Sequence, residues 1–81
     1  MIGLPMDSTL KELDVVALVK DLPEHALRRG SVGTIVHVHS PAPGRPPAYE
    51  VEFVDRDGKT YALVTLQAQD VLQLHFELSA A

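Results

Sequence analysis

The sequence predicts a small all-β domain, and three observations lead to that prediction. Five short segments carry the apolar, β-branched or alternating patterns of strands. Turn-forming or Pro-rich segments separate most of them, and the whole chain has only 81 residues, which is enough for one domain with a thin core. The predicted strands are residues 14–20, 33–39, 48–54, 60–66 and 71–77.

The strand patterns also predict which side chains point inward. The first strand, DVVALVK, is apolar on both faces, as expected for a strand that is buried on both sides. In the third, Tyr49, Val51 and Phe53 share one face and Glu50 and Glu52 the other. In the last strand the alternation places one set of side chains inward (Leu72, Leu74, Phe76) and the other outward (Gln73, His75, Glu77).

Two connections have the composition of hairpin loops. Residues 55–58 (DRDG) end in an Asp-Gly pair, and Gly58 can adopt a positive φ without strain. Residues 40–47 (SPAPGRPP), called the Pro-rich hairpin below, hold four prolines and cannot continue a ladder.

The two remaining connections indicate the architecture. Residues 21–29 (DLPEHALRR), called the first loop below, form a long excursion that Leu22 and Leu27 should anchor to the core. Residues 67–70 leave room for a single 3₁₀ turn before the last strand. Five short strands with these connections predict a small five-stranded SH3-like barrel, because an open meander would leave two edges unprotected. We assign residues 1–8 to a flexible lead-in, 9–78 to the single barrel domain and 79–81 to a frayed tail.

One short segment of the sequence resembles a turn that is found in two kinds of small β domain. The run from Arg29 to Val36 (RGSVGTIV) resembles the glycine-containing turn of SH3-like and KOW-type domains. In that turn we expect Gly30 to let the chain reverse its direction and Gly33 to let the following strand bend tightly. The KOW-like resemblance implies RNA or ribonucleoprotein binding as one alternative function.

A longer set of motifs is more specific. It comprises LKELDVVAL (10–18), DLPEH (21–25), RG and VGT (29–34), YEVEFVD (49–55) and TYAL (60–63). Together these resemble a small bacterial family described as domain of unknown function 4926, over roughly residues 9–75. The resemblance implies the fold and a bacterial origin and transfers no catalytic residue. The order of strand, long loop and glycine turn is also similar to the SH3-like part of the nitrile hydratase β subunit and its activators, which implies an accessory role to a metalloenzyme as another alternative.

Composition narrows the function further. Seven basic and eleven acidic residues give a net charge of −4, which disfavours a general nucleic-acid binder. The chain has no cysteine, so thiolate catalysis and sulfur-ligated metals are excluded, and a reducing cytoplasm suits it. No apolar run approaches the length of a membrane span. We expect no cofactor and no enzymatic activity, since the acidic pair Asp55 and Asp57 sits on a hairpin tip without a pocket.

His37 and His39 are two residues apart on one predicted strand, so both side chains leave the same face. If Val36 and Val38 point inward, the histidines lie beside Glu50 of the next strand. His37, His39 and Glu50 are therefore a surface candidate for a metal site. A hydrogen-bonded His–Glu pair on a solvated sheet explains the same pattern without a metal, and we expect that arrangement.

Basic residues cluster on the connections. The candidate partner-binding residues are Lys20, His25, Arg28, Arg29 and Arg45. Loops on a rigid scaffold are where binding residues concentrate. Tyr61 is the only aromatic expected at the surface, which is too few for a binder of single-stranded RNA. We therefore expect a protein-interaction module that uses the first loop and the Pro-rich hairpin, or a chain that self-associates, with no membrane partner.

Overall fold

The computed structural model describes residues 10–75, which fold into antiparallel strands close to the predicted ones. The strands are β1 (Val15–Leu18), β2 (Val32–His39), β3 (Ala48–Val54), β4 (Thr60–Leu66) and β5 (Val71–Gln73). The all-β class is confirmed, and so is the 3₁₀ turn before the last strand, at Ala68–Asp70. The predicted lead-in and tail, together with Phe76 and Glu77, lie outside the described residues.

The five strands form one sheet in the order β4-β3-β2-β1-β5. The last strand crosses to the far side of β1, so the sheet is not a simple meander. Among residues 10–75 no ladder joins β4 to β5. The sheet is therefore not closed, and the predicted barrel describes it only approximately.

One apolar cluster forms the core beneath this sheet. Leu22 and Leu27 of the first loop are buried in it, which confirms that they anchor the loop. Its other members are Leu10, Val16, Leu18, Ile35, Tyr49, Val51, Phe53, Val64 and Leu66. The inward face predicted for the third strand is thus correct.

Two predictions about buried faces are wrong. In the first strand Val16 and Leu18 are buried, but Val15 and Ala17 on the other face are only partly buried, and Val19, just beyond the end of β1, is 44% exposed. In β5, Leu72 is 59% exposed although the alternation placed it inward. The reason is register: β5 aligns Leu72 with Ala17 on the outward face of β1. The same register puts Val71 and Gln73 opposite the buried Leu18 and Val16, so Gln73 faces the core side.

A β-bulge in β2 explains a third difference. The register between β2 and β3 shifts between Ile35 and His37, so Val36 is an extra residue that turns outward and is 40% exposed. The buried β2 residues are Gly33 and Ile35, and Val38 is partly buried against the core, as predicted. His37 and His39 nevertheless stay on the outer face, as predicted.

Both predicted hairpin loops are present. Gly58 adopts φ +82° and donates its N–H to the Asp55 carbonyl at 2.9 Å, closing the turn between β3 and β4. The Pro-rich hairpin turns at Pro43-Gly44, where Gly44 has φ +74°, as a type II turn requires. None of the described helical segments is long and apolar enough to cross a membrane.

Candidate functional site

The first loop is a closed hairpin of its own, held by backbone hydrogen bonds. Leu22 and Leu27 exchange N–H···O=C bonds of 2.9 and 3.1 Å. The 3₁₀ turn Pro23–His25 begins at a proline, whose fixed φ favours it, and it ends at Ala26 in the left-handed region. Because its turn is hydrogen-bonded and both leucines are buried, the loop presents its remaining side chains from a rigid base.

The carboxyl end of the loop is fixed by polar side chains. Asp21 Oδ1 accepts the Arg29 N–H at 2.8 Å, and Ser31 Oγ accepts the Arg28 N–H at 3.2 Å. These bonds use the backbone of the two arginines and leave their guanidinium groups exposed. No carboxylate of residues 10–75 lies within ion-pair distance of Arg28 or Arg29.

Tyr61 of β4 lies beside this loop. Its hydroxyl donates to the Ala26 carbonyl at 3.3 Å, and its side chain remains 50% exposed. Since Tyr49 and Phe53 are buried, Tyr61 is the exposed aromatic of the described chain, as predicted. The contact joins the start of β4 to the tip of the first loop, at the residue that follows His25.

The other basic candidates have different surroundings. Lys20 is ion-paired, with Nζ 2.9 Å from Asp70 Oδ1. Arg45 lies on the turn of the Pro-rich hairpin, where its N–H donates to the Ala42 carbonyl at 2.7 Å. Within residues 10–75 no hydrogen bond or ion pair connects this hairpin to the first loop. The structure thus groups His25, Arg28 and Arg29 on one loop and leaves Arg45 on another.

Asp70 connects Lys20 to the 3₁₀ turn that precedes β5. Burial alone would raise the pKa of Asp70, but hydrogen bonds from the Gln67 N–H and from Lys20 hold that pKa below its usual value. Asp70 is the third residue of a capping box with Gln67 at its start. Asp70 therefore holds the 3₁₀ turn through Gln67 and links that turn, through Lys20, to the segment that follows β1.

The two strand histidines sit on the outer face beside Glu50. Their ring centroids are 4.7 Å apart in an edge-to-face arrangement, and β2 pairs His37 with Glu50. His39 Nε2 lies 2.9 Å from Glu50 Oε2, and that oxygen also accepts the Thr65 hydroxyl at 3.0 Å. The hydrogen bond from His39 and then that from Thr65 lower the pKa of Glu50.

The structure shows the hydrogen-bonded pair at this position. Among residues 10–75 no three His, Asp or Glu side chains are placed to hold one metal ion. Both hydrogen bonds, from His39 and from Thr65, are made to the same oxygen of Glu50, Oε2. The cross-strand His–Glu pair expected from the sequence is present.

A shallow open groove lies at the opposite end of the sheet. It has a volume of about 440 Å³ and is lined by Leu10, Ala68, Val71, Leu72, Gln73 and His75. None of the predicted partner-binding residues contributes to it. The groove is mostly apolar and borders the exposed Leu72.

Comparison with known proteins places the chain in a family. A model of "Domain of unknown function (DUF4926)" matches residues 12–73, which is most of the chain. The chain belongs to this family. The match begins just before β1 and ends with β5, so the family domain and the described sheet coincide. No curated protein and no solved structure matches the chain, and the resemblances to SH3-like domains and to nitrile hydratase subunits stay predictions.

Three features of this DUF4926 domain were not predicted from its sequence. Asp21 was not recognised as the residue that fixes Arg29, although Asp at the start of a loop is a frequent acceptor of backbone N–H groups. The contact between Tyr61 and Ala26 joins residues 35 positions apart, and no local signal reports it. Thr65 as a second donor to Glu50 depends on the register between β3 and β4.

Proposed function

We propose that this domain is a non-enzymatic protein-interaction or accessory module that binds its partner through the first loop and the Pro-rich hairpin. The observation that carries the proposal is the construction of the first loop: its turn is hydrogen-bonded, while Arg28 and Arg29 have no carboxylate partner among residues 10–75. A rigid loop loses little conformational entropy on binding, so its exposed cations and Tyr61 are effective contact groups. We place the module in the bacterial cytoplasm.

The Pro-rich hairpin is suited to be the second contact with the partner because its backbone is stiff. Its prolines restrict the backbone and its turn is closed by two bonds between Ala42 and Arg45, of 3.0 and 2.7 Å. Arg45 is exposed at the end of this turn. Because the structure shows no bond between the two loops within the described residues, we expect them to act as separate contacts on one partner.

The test compares two charge-matched variants as bait. In Arg28→Gln/Arg29→Gln the loop loses both cations, whereas Arg56→Gln/Lys59→Gln loses the same charge from the turn between β3 and β4. Crosslinking and mass spectrometry in cells should identify a protein that the wild type and the second variant capture and the first variant does not. Equal capture by both variants would contradict the role of the loop, provided that circular dichroism shows both to be folded.

The KOW-like alternative makes a different prediction. If the domain binds RNA through the same basic residues, a fluorescent mixed-sequence RNA should bind at low salt and dissociate as salt rises. The acidic outer face formed by Glu50 and Glu52 argues against this outcome. RNA binding that depends on Arg28 and Arg29 would replace the proposed protein partner.

A further inference from the structure

The outer face of β2 presents two imidazole rings side by side. His37 and His39 are two residues apart on this strand, so both side chains leave the same face, and both are exposed. Their ring centres are 4.7 Å apart. A metal ion bound to a ring nitrogen at about 2.0 Å lies about 3.2 Å from the ring centre, so two neighbouring ligands of one ion have ring centres about 4.5–5.2 Å apart. The observed spacing therefore suits two ligands of a single ion.

Glu50 of β3 fixes the ring of His39. Its Oε2 lies 2.9 Å from His39 Nε2 and also accepts the Thr65 hydroxyl. The hydrogen bonds from His39 and then from Thr65 lower the pKa of Glu50, and an ionised carboxylate only accepts hydrogen bonds. His39 therefore donates its Nε2–H, which in the neutral ring leaves the lone pair on Nδ1. Histidines that bind a metal ion usually donate their other ring N–H to a carboxylate in this way, and that hydrogen bond orients the ring.

His37 and solvent supply the rest of the coordination. Within residues 10–75 no hydrogen bond involves the His37 ring, so this ring can turn toward an ion without breaking one. The described residues hold no group of three His, Asp or Glu side chains placed around one ion. An ion bound by the two histidines therefore keeps open positions that water occupies.

We propose that His37 and His39 chelate one divalent transition-metal ion and that Glu50 positions His39 for it. Two imidazoles with water in the remaining positions suit copper(II) and nickel(II), which accept a square or tetragonal set of nitrogen and oxygen ligands. Closed zinc sites, in contrast, take four protein ligands. For a given set of ligands copper(II) binds most tightly among the divalent first-row ions. The site contains no residue of the first loop or of the Pro-rich hairpin, so it is independent of the proposed function.

Chelation distinguishes this site from a single exposed histidine. Once one imidazole has bound the ion, binding of the second is intramolecular and takes place at a high effective concentration. The affinity of the pair therefore exceeds that of either ring alone by a large factor. We expect His37→Ala and His39→Ala each to weaken metal binding at least about tenfold.

The experiment is a calorimetric titration of the full chain with copper(II), at about pH 8 because a histidine must be deprotonated to bind a metal ion. The wild type should bind one ion through the pair, and electron paramagnetic resonance of that ion should show two nitrogen ligands. The double variant His37→Ala/His39→Ala should lose this binding. Its matched control is His25→Ala/His75→Ala, which removes two exposed histidines from other segments and should bind like the wild type.

Glu50→Gln tests the positioning role of Glu50. Without the carboxylate, metal binding should weaken about tenfold, as is typical when a partner of a metal-binding histidine is lost. Glu52→Gln is the control, since it removes the same charge from the same face, where Glu52 accepts a hydrogen bond from Thr60 and not from a histidine. This variant should weaken binding less than about twofold, because solvent and salt screen a more distant surface charge.

Nitrogen NMR of the metal-free protein gives a second readout of the same role. The wild type and Glu52→Gln should show His39 as the Nε2–H tautomer, whereas Glu50→Gln should show a mixture of the two tautomers. Equal weakening of metal binding by the two glutamate variants would refute the positioning role of Glu50.

Two results would overturn the metal site itself. One is a wild type that binds copper(II) no more tightly than His37→Ala/His39→Ala does. The other is equal weakening by the two double variants, which would mark the copper as an adventitious ion only. Circular dichroism verifies that each variant is folded, so that a loss of binding reports on the ligands.

Discussion

Gly33 of β2 approaches Val51 of β3 so closely that a Cβ atom on Gly33 would stand 2.7 Å from Val51 Cγ1. The same atom would be 2.9 Å from the Glu52 carbonyl oxygen and from Phe53 Cδ1. These distances are shorter than any van der Waals contact. The glycine is therefore required because the neighbouring strand β3 leaves no room for a Cβ atom at this position, and its backbone φ is not in the left-handed region.

The first prediction concerns this contact. Gly33→Ala should lower the free energy of unfolding by about 2–3 kcal/mol, since overpacking forces the backbone of β3 to shift. Val51→Ala should relieve part of the clash, so the double variant should be more stable than the sum of the single changes predicts. Urea denaturation measures all three.

Gly30→Ala is the control for this comparison of the single variants with the double variant. Gly30 has φ +93° with no atom within 4 Å of its Cβ position, so this variant loses stability through backbone strain alone. Its effect should add to that of Val51→Ala without coupling. An additive result for Gly33→Ala as well would refute the steric explanation.

The second prediction concerns the anchor of the first loop. Leu27→Ala should cost about 2–3 kcal/mol, because Leu27 is buried against the core and its loss leaves a cavity. His25→Ala, an exposed change on the same loop, should alter stability by less than about 0.5 kcal/mol. Hydrogen exchange of the Leu22 and Leu27 amides should accelerate in the first variant only. Unchanged exchange in Leu27→Ala would show that the loop does not depend on its anchor.

The third prediction concerns acid stability. The pKa of Asp70 is lowered in the folded protein by the Gln67 N–H and Lys20 despite its partial burial. A group with a lowered folded-state pKa contributes stability above its unfolded pKa, and that contribution is lost as pH falls through the folded-state pKa. Asp70→Asn should therefore be less stable than the wild type by about 1 kcal/mol at neutral pH, and the difference should shrink in acid.

Urea denaturation across the acid range tests this expectation. Asp57→Asn removes an exposed carboxylate at a hairpin tip and should track the wild type at every pH. A constant difference between Asp70→Asn and the wild type down to low pH would contradict the assignment.

The fourth prediction concerns the outer-face pair. The hydrogen bond from His39 is the largest cause of the lowered Glu50 pKa, followed by that from Thr65. In an NMR titration of the side-chain carboxyl group, His39→Ala should raise the Glu50 pKa toward its ordinary value, and Thr65→Val should raise it less. The pair is partly solvated, so His39→Ala should change stability by less than about 1 kcal/mol. His75 lies far from Glu50 in sequence, at the end of the sheet that holds β5, so His75→Ala is the control. If His75→Ala shifted the Glu50 pKa as much as His39→Ala does, the hydrogen bond from His39 would not be the cause of the lowered pKa.

Local signals in the sequence were sufficient for the strands and turns. The alternation of Tyr49, Val51 and Phe53 predicted both the limits of β3 and its inward face. Gly58 and the prolines of residues 40–47 predicted both hairpin loops, because positive φ and missing N–H groups are properties of single residues. The exposed position of the basic residues of the first loop could also be predicted from the sequence, since charged residues between two strands lie on the surface.

Only the tertiary structure decided how these elements are aligned. The bulge at Val36, the outward position of Leu72 and the pairing of His39 with Glu50 all depend on register between strands. A shift of one residue exchanges the two faces of a strand, and the sequence of one strand does not state which residue of its neighbour it meets. For the same reason the apolar run of β1 established that both faces avoid charge, whereas the sheet determined that Val16 and Leu18 are buried and that Val15 and Ala17, on the other face, are only partly buried.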